Sequence, residues 1–395
     1  MRSVIKGIII TAAFIGPGTI TTASLVGAQL GYTLIWALVF SLFATYVLQE
    51  MASRLGSVTK IGLSQAILSQ HKSKVWRLFA SVLICSAIGI GNAAYEGGNL
   101  SGAGLGLSVS FGGSIATWSL ALGLLAALLI VSNRYQMIEK VLVGLVGVMS
   151  LVFISLMFVA GIHLTNLVSG VLLKQSMFSN TALLLAIIGT TIVPYNLFLH
   201  AGMSARDAQQ GLPKNDSKGG LFASIGIGGL VTFAVMSSAA TAFFATGIVM
   251  DKANIASQLE PLLGEYAKVF FGLGLFCAGL TSAITAPLAA SYAISGVFNW
   301  QNDLADWRFK SVSLAIIVIG VMVSFFGASP FAIIVIAQVA NALLLPISAV
   351  LLILVCNNQT MMGQYKNSAF NNIAAGLVIL TVLSLALSKL YSMIA

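Results

Sequence analysis

Two short segments of this sequence place proline among glycine and hydroxyl-bearing residues inside long apolar runs. They are Gly16–Thr19, with Pro17, and Gly189–Asn196, with Pro194. A proline inside a helix removes one backbone hydrogen bond and clashes with the preceding turn, and a nearby glycine makes unwinding easier. Unwound backbone leaves carbonyl and amide groups that can bind an ion or a polar solute. Each segment therefore predicts an interrupted helix with a candidate binding site at the interruption.

Three further side chains outside these segments could do chemistry. Glu96 is a single acid in a run of small and polar residues, His200 follows Val193 by seven residues, and Gln338 lies in an apolar run. Seven residues are about two helical turns, so His200 should share a helix face with Val193. Simpler roles stay open for all three: Glu96 could lie in a solvated loop after a shorter helix, His200 could be a packing histidine, and Gln338 could only bridge two helices.

The composition places these residues in a membrane. The chain has 395 residues, of which 58% are hydrophobic and 7% are charged. A soluble domain carries about a quarter charged residues, so this chain cannot cover a water-facing surface. Cys85, Cys277 and Cys356 stand in separate apolar runs, which predicts neither a disulfide framework nor a zinc site. The sequence predicts an all-α integral membrane protein.

Stretches without Asp, Glu, Lys or Arg define the crossings, because a charge at bilayer depth is costly. Runs 7–49 and 311–365 are long enough for two crossings each, with turns predicted at Gly31-Tyr32 and at 327–330. The count is eleven helices, with helix 3 continuing past Glu96 to about Leu107.

The positive charges predict the orientation. With the N-terminus in the cytoplasm, fifteen of the 19 Lys and Arg residues fall on the cytoplasmic side. The four on the other side are Lys174, Lys252, Lys268 and Lys389. This bias follows the positive-inside rule, so the basic excess reflects topology and not nucleic-acid binding. We expect a multi-pass protein of the inner (plasma) membrane with its C-terminus outside.

The two breaks fall at corresponding places in this topology, since helices 1 and 6 would begin five-helix units of opposite orientation. We expect one transmembrane domain over residues 1–395, with a first repeat over 1–165, an inverted second repeat over 175–357 and an extra helix 11 over 367–395. Broken helices at matching positions of inverted repeats indicate the substrate site of a transporter.

At these residues the chain resembles the NRAMP family of proton-coupled divalent metal transporters. The segments that carry the resemblance are Gly27–Tyr32, Arg54–Thr59, Pro194–His200, Ala278–Ser282, Gln338–Pro346 and Asn357–Asn367. The resemblance implies a leucine-transporter-like fold and proton-coupled transport of a divalent metal cation. It also implies that His200 belongs to a proton route and that Gln338 can reach the ion. Glu96 would then be either a proton site or the missing cation ligand.

This chain departs from the family pattern at the metal ligands. The family's helix-1 motif is Asp-Pro-Gly-Asn and its helix-6 motif begins Met-Pro-His; here Gly16 and Thr19 replace the Asp and Asn, and Val193 replaces the Met. The remaining candidate substrate-binding residues are grouped around the two breaks: Gly16, Thr19, Thr190, Val193, Tyr195, Asn196 and Gln338. Of these, Thr19, Thr190 and Gln338 are the candidate metal ligands.

Oxygen ligands without a thioether suit a hard cation that keeps its own waters, as Mg²⁺ does, better than Mn²⁺ or Fe²⁺. The same groups would suit a polar uncharged solute, or an anion at a half-helix N-terminus. A channel-like permease or a transporter-like receptor would also fit the sequence. The sequence contains no HExxH motif, no GxSxG motif and no pair of carboxylates on one helix, so we do not expect an enzyme. We expect no cofactor either. The expected partners are a divalent cation such as Mg²⁺ or Mn²⁺, protons and the lipid bilayer.

Overall fold

The computed structural model describes residues 15–70, 72–160, 180–211, 218–251, 254–326 and 329–394. These residues form helices joined by short connections, and no strand occurs among them. Nine of the described helices are long and apolar enough to cross a membrane. Helix 4 is shorter, with 17 residues, and the described part of helix 1 has 14. These eleven segments agree with the crossings predicted from the sequence.

The helices are numbered by crossing, and helix 6 consists of two halves, 6a and 6b. Their bounds are Pro17–Leu30 (helix 1), Ile35–Thr59 (2), Lys74–Ile84 with Gly91–Phe111 (3), Ile115–Val131 (4), Tyr135–Ala160 (5), Thr181–Thr191 (6a), Pro194–Gln209 (6b), Lys218–Ala239 (7), Ala267–Phe298 (8), Trp307–Phe326 (9), Pro330–Cys356 (10) and Ala369–Ile394 (11). A π-helical turn over Cys85–Ile90 joins the two parts of helix 3.

The first predicted turn lies where expected, and the second falls between helices 9 and 10, with its residues 327 and 328 outside the described residues. Helix 1 ends at Gly31, whose φ of 57° suits glycine because it has no Cβ. Helix 10 begins at Pro330, the end of the second predicted turn. Helix 3 runs to Phe111, so Glu96 lies inside a helix and not in a loop. Residues 161–179 and residues 1–14, on which the predicted first half of helix 1 falls, lie outside the described residues.

Helices 1 and 6 lie at the centre of the bundle. Every residue from Pro17 to Gly27 is buried. In the most apolar 18-residue stretch of helix 6, 94% of the residues are buried. The corresponding shares for helices 9 and 11 are 28% and 33%, as expected for helices with a lipid-facing side. The broken helices are therefore surrounded by protein, the condition under which a membrane tolerates irregular backbone.

Helices 3 and 8 form the most extensive helix–helix contact among the described residues. Small residues allow this approach: a Cβ placed on Gly279 would lie 2.1 Å from the Cβ of Ala103. Close packing of small residues is a usual way to associate helices in lipid. This contact fixes the faces of helices 3 and 8 that lie against the break in helix 1.

Candidate substrate site at the two broken helices

The described part of helix 1 starts directly after Gly16, where the sequence predicts the break. Gly16 has extended backbone (φ −108°, ψ −177°), and Pro17 is the first residue of the helix that follows. The Gly16 carbonyl accepts hydrogen bonds from the amides of Thr19 and Ile20, at 3.0 and 3.2 Å. Proline suits this position because the N–H of the first helical residue has no hydrogen-bond acceptor within the helix. No side chain caps this helix end.

The break in helix 6 is shorter than the sequence suggested. Only Ile192 and Val193 leave the helical conformation; Thr190 and Thr191 end helix 6a, and Pro194 begins helix 6b. Pro194 has no N–H to donate to the Thr190 carbonyl, which explains why helix 6a ends here.

Helix 2 supports the end of helix 6a. The Thr45 hydroxyl donates to the Thr191 carbonyl at 3.0 Å, and the Thr191 hydroxyl donates to Ile187 within its own helix. The carbonyl and hydroxyl of Thr191 are therefore engaged within the protein.

The two breaks touch each other through side chains. The hydroxyls of Thr19 and Thr190 are 2.8 Å apart and both are buried. Gln338 of helix 10 covers the same place: a Cβ on Gly18 would lie 1.9 Å from its Nε2 atom, and a Cβ on Gly189 would lie 2.0 Å from its backbone oxygen. Thr19, Thr190 and Gln338, the three candidate metal ligands, thus lie close together.

Tyr195 and Asn196 lie in the first turn of helix 6b, and both are buried. The Tyr195 ring packs edge-on against Tyr95 of helix 3, with ring centroids 5.2 Å apart. Val193, at the break itself, is also buried and presents only an apolar side chain. These residues connect the helix-6 break to helix 3.

Glu96 is fully buried in the middle of helix 3. Its Oε2 atom accepts a hydrogen bond of 3.1 Å from the side-chain nitrogen of Asn99, one helical turn further on. On the other side it packs on helix 9, since a Cβ on Gly320 would lie 2.5 Å from Glu96 Cγ. Glu96 is the one Asp, Glu, Lys or Arg residue that is buried in the described parts of the chain.

Gly16 faces two oxygens from other helices. A Cβ built on Gly16 would lie 2.5 Å from the hydroxyl oxygen of Ser282 on helix 8 and 3.4 Å from Oδ1 of Asn99 on helix 3. Both side chains are buried. The space beside Gly16 is thus bounded by oxygen atoms.

Five buried side-chain oxygens near the breaks have no hydrogen-bond partner among the described residues. They are Glu96 Oε1, Asn99 Oδ1, Asn196 Oδ1, Ser282 Oγ and Gln338 Oε1, which we call the unpaired oxygens. A buried polar atom without a partner costs about 1–3 kcal/mol, so a group of them needs an explanation. Four of the five can only accept, which favours a guest that is positively charged or donates hydrogen bonds.

His200 lies on helix 6b, one turn after Asn196, and is buried. Its Nδ1 atom is 3.0 Å from Oε1 of Gln49 on helix 2. The structure thus places His200 against helix 2, whereas Glu96 lies between helices 3 and 9.

A scan against protein families matches residues 7–392 to the family described as natural resistance-associated macrophage protein-like, Nramp. The chain belongs to the Nramp family. Curated relatives include the divalent metal cation transporter MntH of Erwinia tasmaniensis, 26% identical over 94% of this chain and 90% of the relative. MntH of Verminephrobacter eiseniae is 26% identical over 95% of this chain and 86% of the relative. The match spans the whole set of helices described above.

Solved structures confirm the fold of this Nramp chain. The manganese transporter of Eremococcus coleocola has a TM-score of 0.77 at 20% identity, covering 100% of this chain and 87% of that one. MhsT, solved in complex with L-phenylalanine, has a TM-score of 0.65 at 15% identity, covering 96% of this chain and 98% of that one. The predicted leucine-transporter-like fold is therefore confirmed.

The sequence interpretation missed Tyr95, Asn99 and Ser282 as site residues. A signal existed for Asn99, because it is three residues after Glu96 and so shares its helix face. Ser282 lies in a segment that carries the family resemblance, but it reaches Gly16 only through the packing of helix 8. No group of three or more His, Cys, Asp or Glu side chains suited to a metal occurs in the described residues.

The two ends of the bundle differ around this site. At the end where helix 1 finishes, a 3₁₀ turn over Ile255–Leu259 is buried, and Gln258 exchanges hydrogen bonds of 3.1 and 3.2 Å with Ser24 of helix 1. Ser238 of helix 7 also donates to Gln258, and Tyr32 pairs with Ser237 at 2.7 Å. These contacts join the helices at that end of the bundle, which the sequence predicts to face away from the cytoplasm. We call the contacts the outer seal.

At the opposite end, where helices 6b and 8 finish, the structure has a polar cavity of about 400 Å³. Its lining includes Gln65, Arg206, Asn299, Trp300 and Asp303. The sequence predicts this end to face the cytoplasm. The bundle is therefore sealed at one end and has a polar recess at the other.

Proposed function

We propose that this chain carries a divalent metal cation across the membrane by alternating access, binding it between the breaks of helices 1 and 6. The observation that carries the proposal is the group of five unpaired oxygens in a bundle that is otherwise closely packed. A cation with its remaining waters would satisfy these atoms. The names of the MntH relatives and of the manganese transporter point to the same class of substrate.

Mg²⁺ is the cation we propose as preferred over Mn²⁺. Mg²⁺ binds oxygen ligands and keeps several of its waters, whereas thioether and imidazole ligands favour transition metals. Val193 gives the helix-6 break no sulfur, and Thr19 gives the helix-1 break a hydroxyl. Thr19, Thr190 and Gln338 would contact the ion or its waters.

Proton coupling is a second part of the proposal, with Glu96 and His200 as the groups involved. A buried carboxylate is costly in its charged form and can take up a proton instead. A cation bound nearby would favour the charged form again, and such reciprocal effects couple two fluxes. Glu96 is the better placed of the two groups, because Asn99 links it to the space beside Gly16.

A small polar solute is the alternative substrate, and two features of the site bear on which charge such a solute would carry. The N-termini of helices 1 and 6b both lie at the breaks, and helix N-termini attract negative groups such as a carboxylate. Against an anion stand Glu96 and the four unpaired oxygens that can only accept. An amine or amide solute would satisfy these oxygens, so such solutes belong in the same test.

The test is uptake into proteoliposomes that contain the purified full chain. We expect saturable Mg²⁺ uptake that shows counterflow, with Mn²⁺ a weaker substrate. Single-channel currents without counterflow would assign the chain to the channels. Binding of an amine or amide solute in calorimetry, with no binding of any divalent cation, would replace the metal by that solute.

A further inference from the structure

The unpaired oxygens divide into two sets. Gln338, Asn196 and Glu96 are residues already singled out from the sequence. Asn99 and Ser282 come from helices 3 and 8 and meet beside Gly16, where helix 1 supplies no side chain of its own. The second set is the more informative, because Asn99 and Ser282 are both buried and neither Asn99 Oδ1 nor Ser282 Oγ has a partner among the described residues.

The orientation of the Asn99 amide is fixed by Glu96. Asn99 Nδ2 donates to Glu96 Oε2, and a charged carboxylate can only accept, so while Glu96 is charged the other end of the amide, Oδ1, points away from it. That end lies 3.4 Å from the position of a Cβ on Gly16. Glu96 therefore turns the oxygen of Asn99 toward the break in helix 1.

Ser282 completes the arrangement from the other side. Its hydroxyl oxygen lies 2.5 Å from the same Cβ position, so a single point beside Gly16 is close to both oxygens. The absence of a side chain on Gly16 allows this close approach, since any Cβ there would press against Ser282. Two buried oxygens without partners that converge at unwound backbone are suited to binding a cation or its water shell.

We propose that Asn99 and Ser282 are direct ligands of the transported cation or its waters, and that Glu96 is a positioning residue that acts through Asn99. This rests on the proposed function, since it assigns ligands within the same site. It moves part of the site from the unwound segments to helices 3 and 8, which are continuous where they pass Gly16.

The first experiment measures Mg²⁺ binding by calorimetry to the purified full chain and to four variants. Ser282→Ala and Asn99→Ala should each weaken binding about tenfold, as expected for the loss of one oxygen that contacts a charge. Ser291→Ala and Asn92→Ala are matched controls on the same two helices. Their side chains are buried and bonded elsewhere, to Phe309 and Ser313 and to Ala286, and their affinity should stay unchanged.

The second experiment tests the role of Glu96 with a double-mutant cycle. Glu96→Leu removes the acceptor that holds Asn99 and should weaken Mg²⁺ binding as much as Asn99→Ala. The double variant should bind Mg²⁺ no more weakly than Asn99→Ala alone, because each change removes the same contact between the Asn99 oxygen and the cation. Glu96→Gln keeps an acceptor oxygen and should restore most of the affinity. Additive losses would make Glu96 a ligand in its own right and overturn the positioning role.

The outcomes separate this inference from the proposed function. If Thr19→Ala and Gln338→Ala weaken Mg²⁺ binding while Ser282→Ala and Asn99→Ala leave it unchanged, the cation site stands and our ligand assignment is wrong. If the wild-type chain binds neither Mg²⁺ nor Mn²⁺, both proposals fall. Thermal melting of each variant in detergent is measured in parallel, and a variant that melts early is replaced by Ser282→Cys or Asn99→Leu.

Discussion

The two helix breaks meet through Thr19 and Thr190, yet they are built differently. The break in helix 6 carries its own polar groups, with Thr190 before it and Tyr195 and Asn196 after it, and helix 2 supports it through Thr45. The break in helix 1 is nearly bare at Gly16, and helices 3 and 8 bring the oxygens to it. The polar groups at the helix-6 break thus come from residues next to that break in the sequence. The polar groups at the helix-1 break come from other helices that pack against it.

The largest effect should come from filling the contact between helices 6a and 10. Gly189→Ala would place a Cβ 2.0 Å from the backbone oxygen of Gln338, which cannot rotate away. We expect a loss of about 3 kcal/mol in stability, or failure to fold, measured by melting in detergent. Gly18→Ala meets only the movable end of the Gln338 side chain and should cost much less. Gly226→Ala on helix 7, with open space around it, is the control; equal melting of all three would contradict this contact.

Metal ligands restored at both breaks should change the selectivity. Gly16→Asp, Thr19→Asn and Val193→Met together supply a carboxylate, an amide and a thioether, so Mn²⁺ should bind at least about tenfold more tightly. The Asp side chain would collide with Ser282, and we therefore expect the full gain only with Ser282→Ala added. Calorimetry with Mn²⁺ and Mg²⁺ measures it. Low-micromolar Mn²⁺ binding by the native chain through this cleft would show that our view of the ligands is wrong.

The helix-1 half should also carry the response to pH. Glu96→Gln keeps the shape and the acceptor of Asn99 but removes the ionisable group, so the fold should persist and the pH dependence of uptake should disappear. The measurement is proteoliposome uptake at three external pH values, with Glu260→Gln, at an exposed residue of the short helix Glu260–Leu263, as a control. Matching pH profiles for Glu96→Gln and wild type would remove Glu96 from proton coupling and leave His200 as the remaining candidate.

The smallest effect concerns the support of the helix-6 break. Thr45→Val removes the hydroxyl that donates to the Thr191 carbonyl but keeps the side-chain shape, which should cost about 1 kcal/mol of stability. Thr232→Val is the control, because its hydroxyl bonds only a carbonyl of its own helix 7. A larger loss for the control than for Thr45→Val in detergent melting would argue against this support.

The difference between the breaks also explains what could be predicted from the sequence. Pro17, Pro194 and Gly31 impose local geometry, so the breaks and the first turn were predictable from residue chemistry alone. The extent of the helix-6 break was not, because it depends on Thr45 from another helix. Ser282 lies in a segment that carries the family resemblance, but its place beside Gly16 could not be predicted, because that depends on how helix 8 packs. The boundaries of the two repeats stay a prediction, to be checked by superposing helices 1–5 on helices 6–10.

The outer seal has an electrical consequence. Its contacts are made by neutral side chains, those of Ser24, Gln258, Ser238, Tyr32 and Ser237. No formal charge therefore moves through the membrane voltage when these contacts separate. Moving one elementary charge through 100 mV changes the free energy by about 2.3 kcal/mol, so a divalent cation would carry about twice that. Because Glu96 is the one buried Asp, Glu, Lys or Arg in the described parts of the chain, the cation and the protons coupled to it should set the voltage dependence of the cycle.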